Sequence, residues 1–230
     1  MKATWRTELP QWILIMAMFA AAALSWNGAP DRIPVHWNWR GEVDRYGGRV
    51  EGLLAMPLLA LGLYLLFRLL PRIDPGRANY PAFAGVYHTI RISVVVLMAV
   101  LYALIHLWMR GLTFDMGMTI GLFVGALLIV IGGLLGKIRP NWFMGIRTPW
   151  TLTSKNAWIR AHRLGGWVFV VAGILLLSAR AVNSRWFLAA AGVVLVGGLI
   201  AITIDSYFTW RADPEKLTPA DTAPAEDERG

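Results

Sequence analysis

Apolar residues in this chain occur in long blocks that short polar segments separate. Six such blocks run for 16 to 21 residues; they contain no Asp, Glu, Lys or Arg, and His106 is the one histidine within them. A helix needs about 20 residues to cross a hydrocarbon core of about 30 Å, and each block reaches that length by extending into its flanks. The pattern predicts an all-α fold, a polytopic bundle of six transmembrane helices. The predicted helices cover about residues 9–26, 52–70, 90–109, 116–136, 164–181 and 186–207.

Composition supports a membrane protein. Of the 230 residues, 57% are hydrophobic and 16% are charged, and the mean hydropathy is +0.52. Soluble domains have about 45–50% apolar and about 25% charged residues, and disordered chains have low hydrophobicity. Both of these classes are therefore excluded.

The distribution of positive charge predicts the orientation of the bundle. The formal net charge is +8. With the N-terminus in the cytoplasm, inner segments carry 15 of the 22 lysines and arginines. Because positive residues stay on the cytoplasmic side, both termini are predicted to be cytoplasmic. The excess of positive charge then indicates contact with anionic lipid headgroups rather than direct nucleic-acid binding.

The two ends of the chain differ in character. Residues 1–25 could be a cleaved signal peptide, but the 18-residue apolar run exceeds the usual apolar region of a signal peptide, which has about 7–15 residues. We therefore expect a retained first helix, within a membrane domain of residues 1–210. Residues 211–230 contain prolines, alanines and acidic residues, which predicts a disordered cytoplasmic tail.

The outer and inner loops carry the distinctive polar sequence. The first outer loop alternates between apolar and polar residues over 35–39, which is typical of a strand that lies on the bilayer surface. In the first inner loop, Asp74 lies between two prolines and is expected to form a local turn. The second inner loop, 137–163, has six basic and no acidic residues, and it interleaves them with Trp, Phe, Pro and Gly. Attraction to lipid requires only positive charge and no interleaved Trp, Phe, Pro and Gly. We therefore expect this loop to have a specific structured role.

Local signals predict a short interfacial helix over 154–162 within the second inner loop. Thr153 or Ser154 is its expected N-cap, and Trp158 and His162 are then one turn apart.

Titratable residues within the membrane favour structure over catalysis. His106 is expected to be hydrogen-bonded inside the bundle, and Asp205 is expected to form an ion pair rather than a proton relay, because it lies near the interface. Its candidate partners are Arg139, Arg147 and Arg163. A proton relay or carrier would need buried ionisable groups at the midplane, and all six spans lack them there. Without cysteine, or histidines at metal-binding spacing, we expect no metal, no cofactor and no enzymatic activity.

The second inner loop resembles the signature of a known family. Residues 141–152 (NWFMGIRTPWTL), followed by Trp158 and residues 162–163, are similar to the motif of the SdpI family of bacterial integral membrane proteins. Residues 33–47 (IPVHWNWRGEVDRYG) resemble a domain of unknown function found at the N-terminus of many members, and residues 71–75 fit the family's inner loop. The resemblance covers most of residues 10–205. The chain departs from the family at Gly133, where Gly-Asn is usual, and at Ala161, where Thr is common.

The resemblance implies a function in self-protection. It implies a multi-pass protein of the bacterial cytoplasmic membrane that gives resistance to a membrane-active antimicrobial peptide. Signalling by sequestration of a cytoplasmic transcriptional repressor is a further expectation. The alternatives are a small-molecule or ion transporter and a structural membrane protein whose loops bind only lipid.

The same resemblance implies a site on each membrane face. The outer loop is expected to meet the peptide toxin, and the inner loop is expected to meet the soluble partner. The outer-loop residues are His36, Asn38, Gly41, Asp44 and Arg45. The inner-loop residues are Arg139, Asn141, Gly145, Arg147, Thr148, Pro149, Trp150, Trp158, His162 and Arg163.

Overall fold

The computed structural model of the chain, which describes residues 4–38 and 40–217, contains six helices long and apolar enough to cross a membrane. This confirms the predicted six-helix bundle. The helices are α1 (Trp5–Ser25), α2 (Arg49–Ile73), α3 (Ala84–Met109), α4 (Met116–Leu135), α5 (Pro149–Thr153), α6 (Lys155–Ala181) and α7 (Trp186–Ala212). A 3-10 helix, Arg77–Phe83, precedes α3, and two strands, β1 (Ile33–Trp37) and β2 (Val43–Gly47), join α1 to α2.

Most long helices extend beyond their apolar blocks. Helix α6 begins at Lys155, so the predicted separate helix over 154–162 is instead the first turns of α6. Arg163 does not interrupt it, because a charged side chain at the interface stops neither the backbone hydrogen bonds nor the helix. Ser154 is confirmed as the N-cap, since its Oγ accepts a hydrogen bond from the backbone N–H of Ala157 at 3.0 Å.

The bundle consists of two groups of three helices. Helices α1, α2 and α3 pack together, α4 and α7 pack on α6, and α3 contacts α4. Helices α4 and α6 approach closely through paired glycines. A Cβ atom on Gly125 would lie 2.8 Å from the carbonyl oxygen of Gly173, and one on Gly132 would lie 2.7 Å from that of Gly166. Small residues commonly permit such backbone contact between membrane helices.

The outer loop adds a small sheet to the predicted all-α fold. Strands β1 and β2 form an antiparallel hairpin in which Ile33 pairs with Gly47 and Trp37 with Val43. The predicted strand over 35–39 therefore begins two residues earlier, and Trp39 lies outside the described residues. Ile33 is completely buried and packs on Gly52 of α2, where a Cβ atom would lie 2.6 Å from the Ile33 Cβ. This contact holds the hairpin over the first helix group.

The first helix group contains a cluster of charges that lie next to the apolar blocks. Glu8 of α1 contacts Arg91 of α3 at 3.0 Å and Arg68 of α2 at 3.2 Å. The hydroxyl of Tyr64 donates to the same carboxylate at 2.7 Å. Glu8, Arg68 and Arg91 lie toward the ends of their helices and not at the midplane, to which the expectation of spans without ionisable groups refers. His106 behaves as expected, with its Nδ1 lying 3.4 Å from the Ser25 Oγ.

The chain remains packed beyond α7. Instead of ending near 207, this helix continues to Ala212, and the backbone N–H of Leu217 donates to the Thr153 carbonyl at 2.8 Å. Residues 211–217 are therefore attached to the bundle, whereas residues 218–230 of the predicted tail lie outside the described residues. An even number of crossings leaves both ends on one face, and the assignment of that face to the cytoplasm stays a prediction.

Candidate functional sites at the two membrane faces

The structure brings the five predicted outer-loop residues onto one hairpin. His36 Nδ1 lies 2.6 Å from the Asp44 carboxylate, and both side chains are exposed. The Asn38 Oδ1 closes the turn by accepting backbone N–H bonds from Arg40 and Glu42 at 2.9 and 3.0 Å. Asn38 therefore shapes the turn, while His36 and Asp44 present a polar pair to solvent.

The tip of the hairpin touches the second helix group. Gly41 has φ +77°, which favours glycine, and a Cβ atom there would lie 2.7 Å from an Asp115 carboxylate oxygen. Asp115 is the N-cap of α4, since it accepts the Met118 N–H at 2.9 Å, and it also pairs with Arg185 at 2.8 Å. Gly41 thus serves as a close contact between hairpin and bundle.

A cavity of about 370 Å³ lies beneath the hairpin. Its walls are mostly apolar side chains of β1, α2, α3 and α4. Arg45 and Glu51, which pair at 2.5 Å, and His36 are its polar lining residues. Local sequence patterns do not reveal this cavity, because its lining residues come from β1, β2, α2, α3 and α4.

At the other end of the bundle, Asp74 joins the two inner loops. It is 1% exposed, and it accepts hydrogen bonds from the Gly76 N–H at 2.6 Å and the Tyr80 hydroxyl at 2.8 Å. The predicted local turn at Asp74 is confirmed. Its carboxylate also accepts the Trp142 N–H at 3.1 Å, which positions the start of the second inner loop.

Asn141 then shapes that loop from within. Its Oδ1 accepts the backbone N–H groups of Phe143 and Met144 at 3.0 and 2.6 Å. Its Nδ2 donates to the carbonyls of Arg139 and Met144 at 2.9 and 3.1 Å. A buried side chain with four backbone hydrogen bonds stabilises a unique loop conformation.

His162 anchors the far side of the same loop. Its Nε2 accepts the Ile146 N–H at 3.1 Å, so the ring proton is on Nδ1, which donates to the Trp158 carbonyl at 2.8 Å. The predicted neighbours Trp158 and His162 stack with ring centroids 4.0 Å apart. The Trp158 Nε1 donates to the Ile138 carbonyl at 2.9 Å, and Gly145 has φ +99° directly beside the imidazole.

Helix α5 packs against α7 and so attaches the second inner loop to that helix. Thr148 is its N-cap and accepts the Thr151 N–H at 3.1 Å, with Pro149 at the first helical position. The Trp150 Nε1 donates to the Ser206 Oγ at 2.5 Å, and its ring packs edge-on against Tyr207. Thr148, Pro149 and Trp150 belong to the predicted inner site, and these contacts stabilise the structure of the loop.

Exposed residues of the inner site are cationic. The side chains of Arg139, Arg147 and Arg163 are exposed, and Trp142 beside them is 53% exposed. The Arg147 guanidinium donates to the Trp142 carbonyl at 2.7 Å. The predicted inner-site residues thus divide into a rigid internal framework and a positively charged surface.

Both faces carry sequence shared with known proteins. Residues 137–204 match the SdpI/YfhL protein family, and residues 13–61 match a domain of unknown function, DUF1648. The immunity protein SdpI of Bacillus subtilis (strain 168) is 23% identical over 199 residues, which cover 86% of this chain and 93% of that protein. No solved structure matches the chain. The chain is therefore similar to the SdpI/YfhL protein family over residues 137–204 and to immunity protein SdpI along most of its length.

The two matched regions follow the division of the bundle. The SdpI/YfhL region contains the second inner loop, α5, α6 and most of α7, whereas the DUF1648 region contains most of α1, the hairpin and half of α2. Six apolar helices and the similarity to immunity protein SdpI identify a multi-pass protein of the bacterial cytoplasmic membrane.

One ion pair inside the SdpI/YfhL region differs from the expectation. Asp205 does form an ion pair, but its partner is Arg160, which donates from Nε and Nη2 at 2.7 Å each. Arg139, Arg147 and Arg163 were the wrong candidates. Because Lys155 begins a continuous α6 packed on α7, Arg160 lies on a helix beside Asp205, whereas Arg139 and Arg147 lie on the loop before α5.

Asp213 joins the end of α7 to the start of α6, a contact that the sequence analysis missed. The Ser154 hydroxyl donates a hydrogen bond to its carboxylate, and the Asn156 Nδ2 donates to the other oxygen at 3.0 Å. The hydrogen bond from Ser154 lowers the pKa of the Asp213 carboxyl below its ordinary value. A lowered pKa favours this contact above the ordinary carboxyl range and weakens it as the pH falls through the lowered pKa.

Proposed function

We propose that this chain is an immunity protein that protects its own cell against a membrane-active peptide. The observation that carries the proposal is the similarity to immunity protein SdpI along 93% of that protein's length. The structure adds a surface that suits this role, because the hairpin forms a polar cap on one face of an apolar bundle. A peptide that approaches from outside would meet this cap before it reached the bilayer.

Exposed polar pairs on the hairpin support its assignment to peptide binding. His36 and Asp44 offer a donor and an acceptor beside the Arg45–Glu51 pair. The remaining outer-site residues support the shape of the hairpin, since Asn38 closes its turn and Gly41 contacts α4. Polar groups on a rigid scaffold lose little conformational entropy when they bind a partner.

A gene deletion tests the immunity function. Cells that lack the gene are expected to depolarise at lower concentrations of an apolar pore-forming peptide than cells that carry it, because the protective protein is missing. A potential-sensitive dye reports depolarisation, and complementation with the wild-type gene is the control. Equal peptide sensitivity of the two strains would contradict the proposal. A difference in ion flux without added peptide would instead support the alternative of a transporter.

We also propose that the inner face binds a cytoplasmic partner, with a transcriptional repressor as the expected one. Support comes from three exposed arginines. Arg139 and Arg147 lie on a loop whose backbone is fixed by Asn141 and His162, and Arg163 follows His162 on α6. A fixed array of cations suits an acidic protein surface. Simple attraction to lipid would work equally well with a flexible loop.

Charge reversal at the inner face tests partner binding. Arg139→Glu with Arg147→Glu is expected to reduce capture of the repressor at the membrane at least tenfold, because two attractive charges become repulsive. Co-purification of the partner and a reporter gene under its control measure this loss. Lys155→Glu is the matched control, since it changes an exposed cation at the start of α6. Equal effects of all charge reversals would show that the loop acts through net charge alone.

A further inference from the structure

The cavity beneath the hairpin combines an apolar interior with a partly polar roof. Its volume of about 370 Å³ lies within the range of about 300–1,000 Å³ typical of ligand pockets. Three consecutive residues of β1 and Arg45 of β2 form the roof, while α2, α3 and α4 form the floor. The apolar floor residues are Ala55, Met56, Leu101, Ile105, Met116 and Ile120.

The floor lies within the outer part of the membrane-spanning region on the hairpin side. At 1.5 Å per residue, Ala55 lies about 9 Å from the start of α2, Leu101 about 12 Å from the end of α3, and Ile120 about 6 Å from the start of α4. A molecule in the cavity would therefore reach from the hairpin into the apolar layer.

Polar groups of the lining favour a peptide over a hydrocarbon chain. Arg45 and Glu51 pair with each other at 2.5 Å, and His36 pairs with Asp44 at 2.6 Å. A lipid tail has no group that could bond to these side chains. A peptide presents an N–H donor and a carbonyl acceptor at every residue other than proline.

The hairpin also offers backbone for pairing. Within the described residues, β1 and β2 pair only with each other, so each strand keeps one open edge. Register shifts on either side of His36 break the regular alternation of β1, and Val35, His36 and Trp37 all line the cavity. An extended peptide that adds to an open strand edge gains backbone hydrogen bonds and can place alternate side chains in a pocket.

We propose that this cavity and the open edge of β1 bind an extended apolar peptide segment. Large aliphatic or aromatic side chains of the peptide enter between α2, α3 and α4, while its backbone lies along β1. The inference rests on the proposed immunity function and names the part of the toxin that the protein recognises. It places recognition inside the hairpin-covered cavity rather than on the outer surface of the hairpin alone.

A second groove provides an internal comparison. It lies between α3 and α4, has a volume of about 330 Å³, and is lined by apolar residues apart from Ser93. It has neither a charged lining residue nor a strand. Apolar volume alone would allow either groove to bind a peptide, whereas the proposal selects the cavity beneath the hairpin.

The test replaces one exposed alanine in each groove by tryptophan, so that the indole fills the groove. Ala55→Trp places an indole in the cavity, and Ala126→Trp places one in the α3–α4 groove. The full chain is reconstituted in phospholipid nanodiscs, and anisotropy of a fluorescent peptide of alternating leucine and serine measures binding. Ala55→Trp is expected to weaken binding at least tenfold, and Ala126→Trp is expected to change it less than twofold.

Several outcomes would overturn the inference. These are no binding of the peptide to the wild-type chain, equal binding to both variants, and binding of a fluorescent fatty acid instead of the peptide. If Ala55→Trp fails to elute as a monodisperse protein, Ile120→Trp fills the cavity from α4 and the same criteria apply.

Cell challenge separates this inference from the immunity function. If Ala55→Trp cells resist the pore-forming peptide as well as wild-type cells while deletion cells are sensitive, immunity stands and the cavity proposal fails. If Ala55 controls probe binding but deletion does not change sensitivity, the cavity binds peptide and the proposed immunity fails.

Discussion

Glu8→Gln is expected to lower the stability of the first helix group by about 3 kcal/mol, in line with the loss of one partner from a buried ion pair. Arg91 is 2% exposed, and its guanidinium donates to both carboxylate oxygens of Glu8 at 3.0 and 3.3 Å. Arg68 and Tyr64 bind the same carboxylate. Its neutralisation would leave two guanidinium groups together, one of them buried, with no counter-charge from Glu8.

Thermal unfolding of the purified chain in detergent measures this loss. Asp205→Asn is the matched control, because it neutralises one acid of an ion pair whose arginine, Arg160, has a 61% exposed side chain. Exposed pairs contribute about 0–1 kcal/mol, so this variant is expected to unfold close to the wild-type temperature. Similar unfolding temperatures for Glu8→Gln and Asp205→Asn would contradict the prediction.

A double variant distinguishes charge from packing. Glu8→Gln with Arg91→Met removes both partners and is expected to be more stable than Glu8→Gln alone, because no charge is then left buried beside an amide. A double variant as unstable as the sum of its two single changes would instead indicate that shape complementarity controls this site.

The helices were predictable because the hydropathy of a span is a local property of the sequence. Each apolar block had to cross the membrane, and six blocks defined the fold. The Glu8–Arg91 contact joins residues 83 positions apart, so it depends on how α1 packs against α3. Local pattern cannot supply that packing, and for the same reason the Asp205 partner was misassigned.

The candidate sites were only partly predictable. Proline, glycine and tryptophan in the second inner loop correctly indicated an ordered segment. They did not reveal that Asp74, 68 positions before Trp142, would bind that loop. The motif also mixes residues that build the loop, such as Asn141 and His162, with exposed ones such as Arg139. Burial separates the two roles, and burial follows from the tertiary structure.

Gly145→Ala is expected to destabilise the inner loop by about 2–3 kcal/mol. Its φ of +99° is unfavourable for any residue with a side chain, at about 1–2 kcal/mol. A Cβ atom there would lie 2.1 Å from the His162 Nε2. The imidazole would have to move away from the Ile146 N–H, and a lost hydrogen bond adds about 1 kcal/mol.

Two comparisons test whether contact with the His162 imidazole causes the loss of stability in Gly145→Ala. Gly136→Ala is the control, since its new Cβ would approach no closer than 3.8 Å to the Arg163 side chain. It is expected to unfold near the wild-type temperature. His162→Ala removes the ring that the new methyl group would strike, so Gly145→Ala should cost less in that background than alone. An equal cost in both backgrounds would assign the whole effect to the backbone of Gly145, because only the steric contact depends on His162.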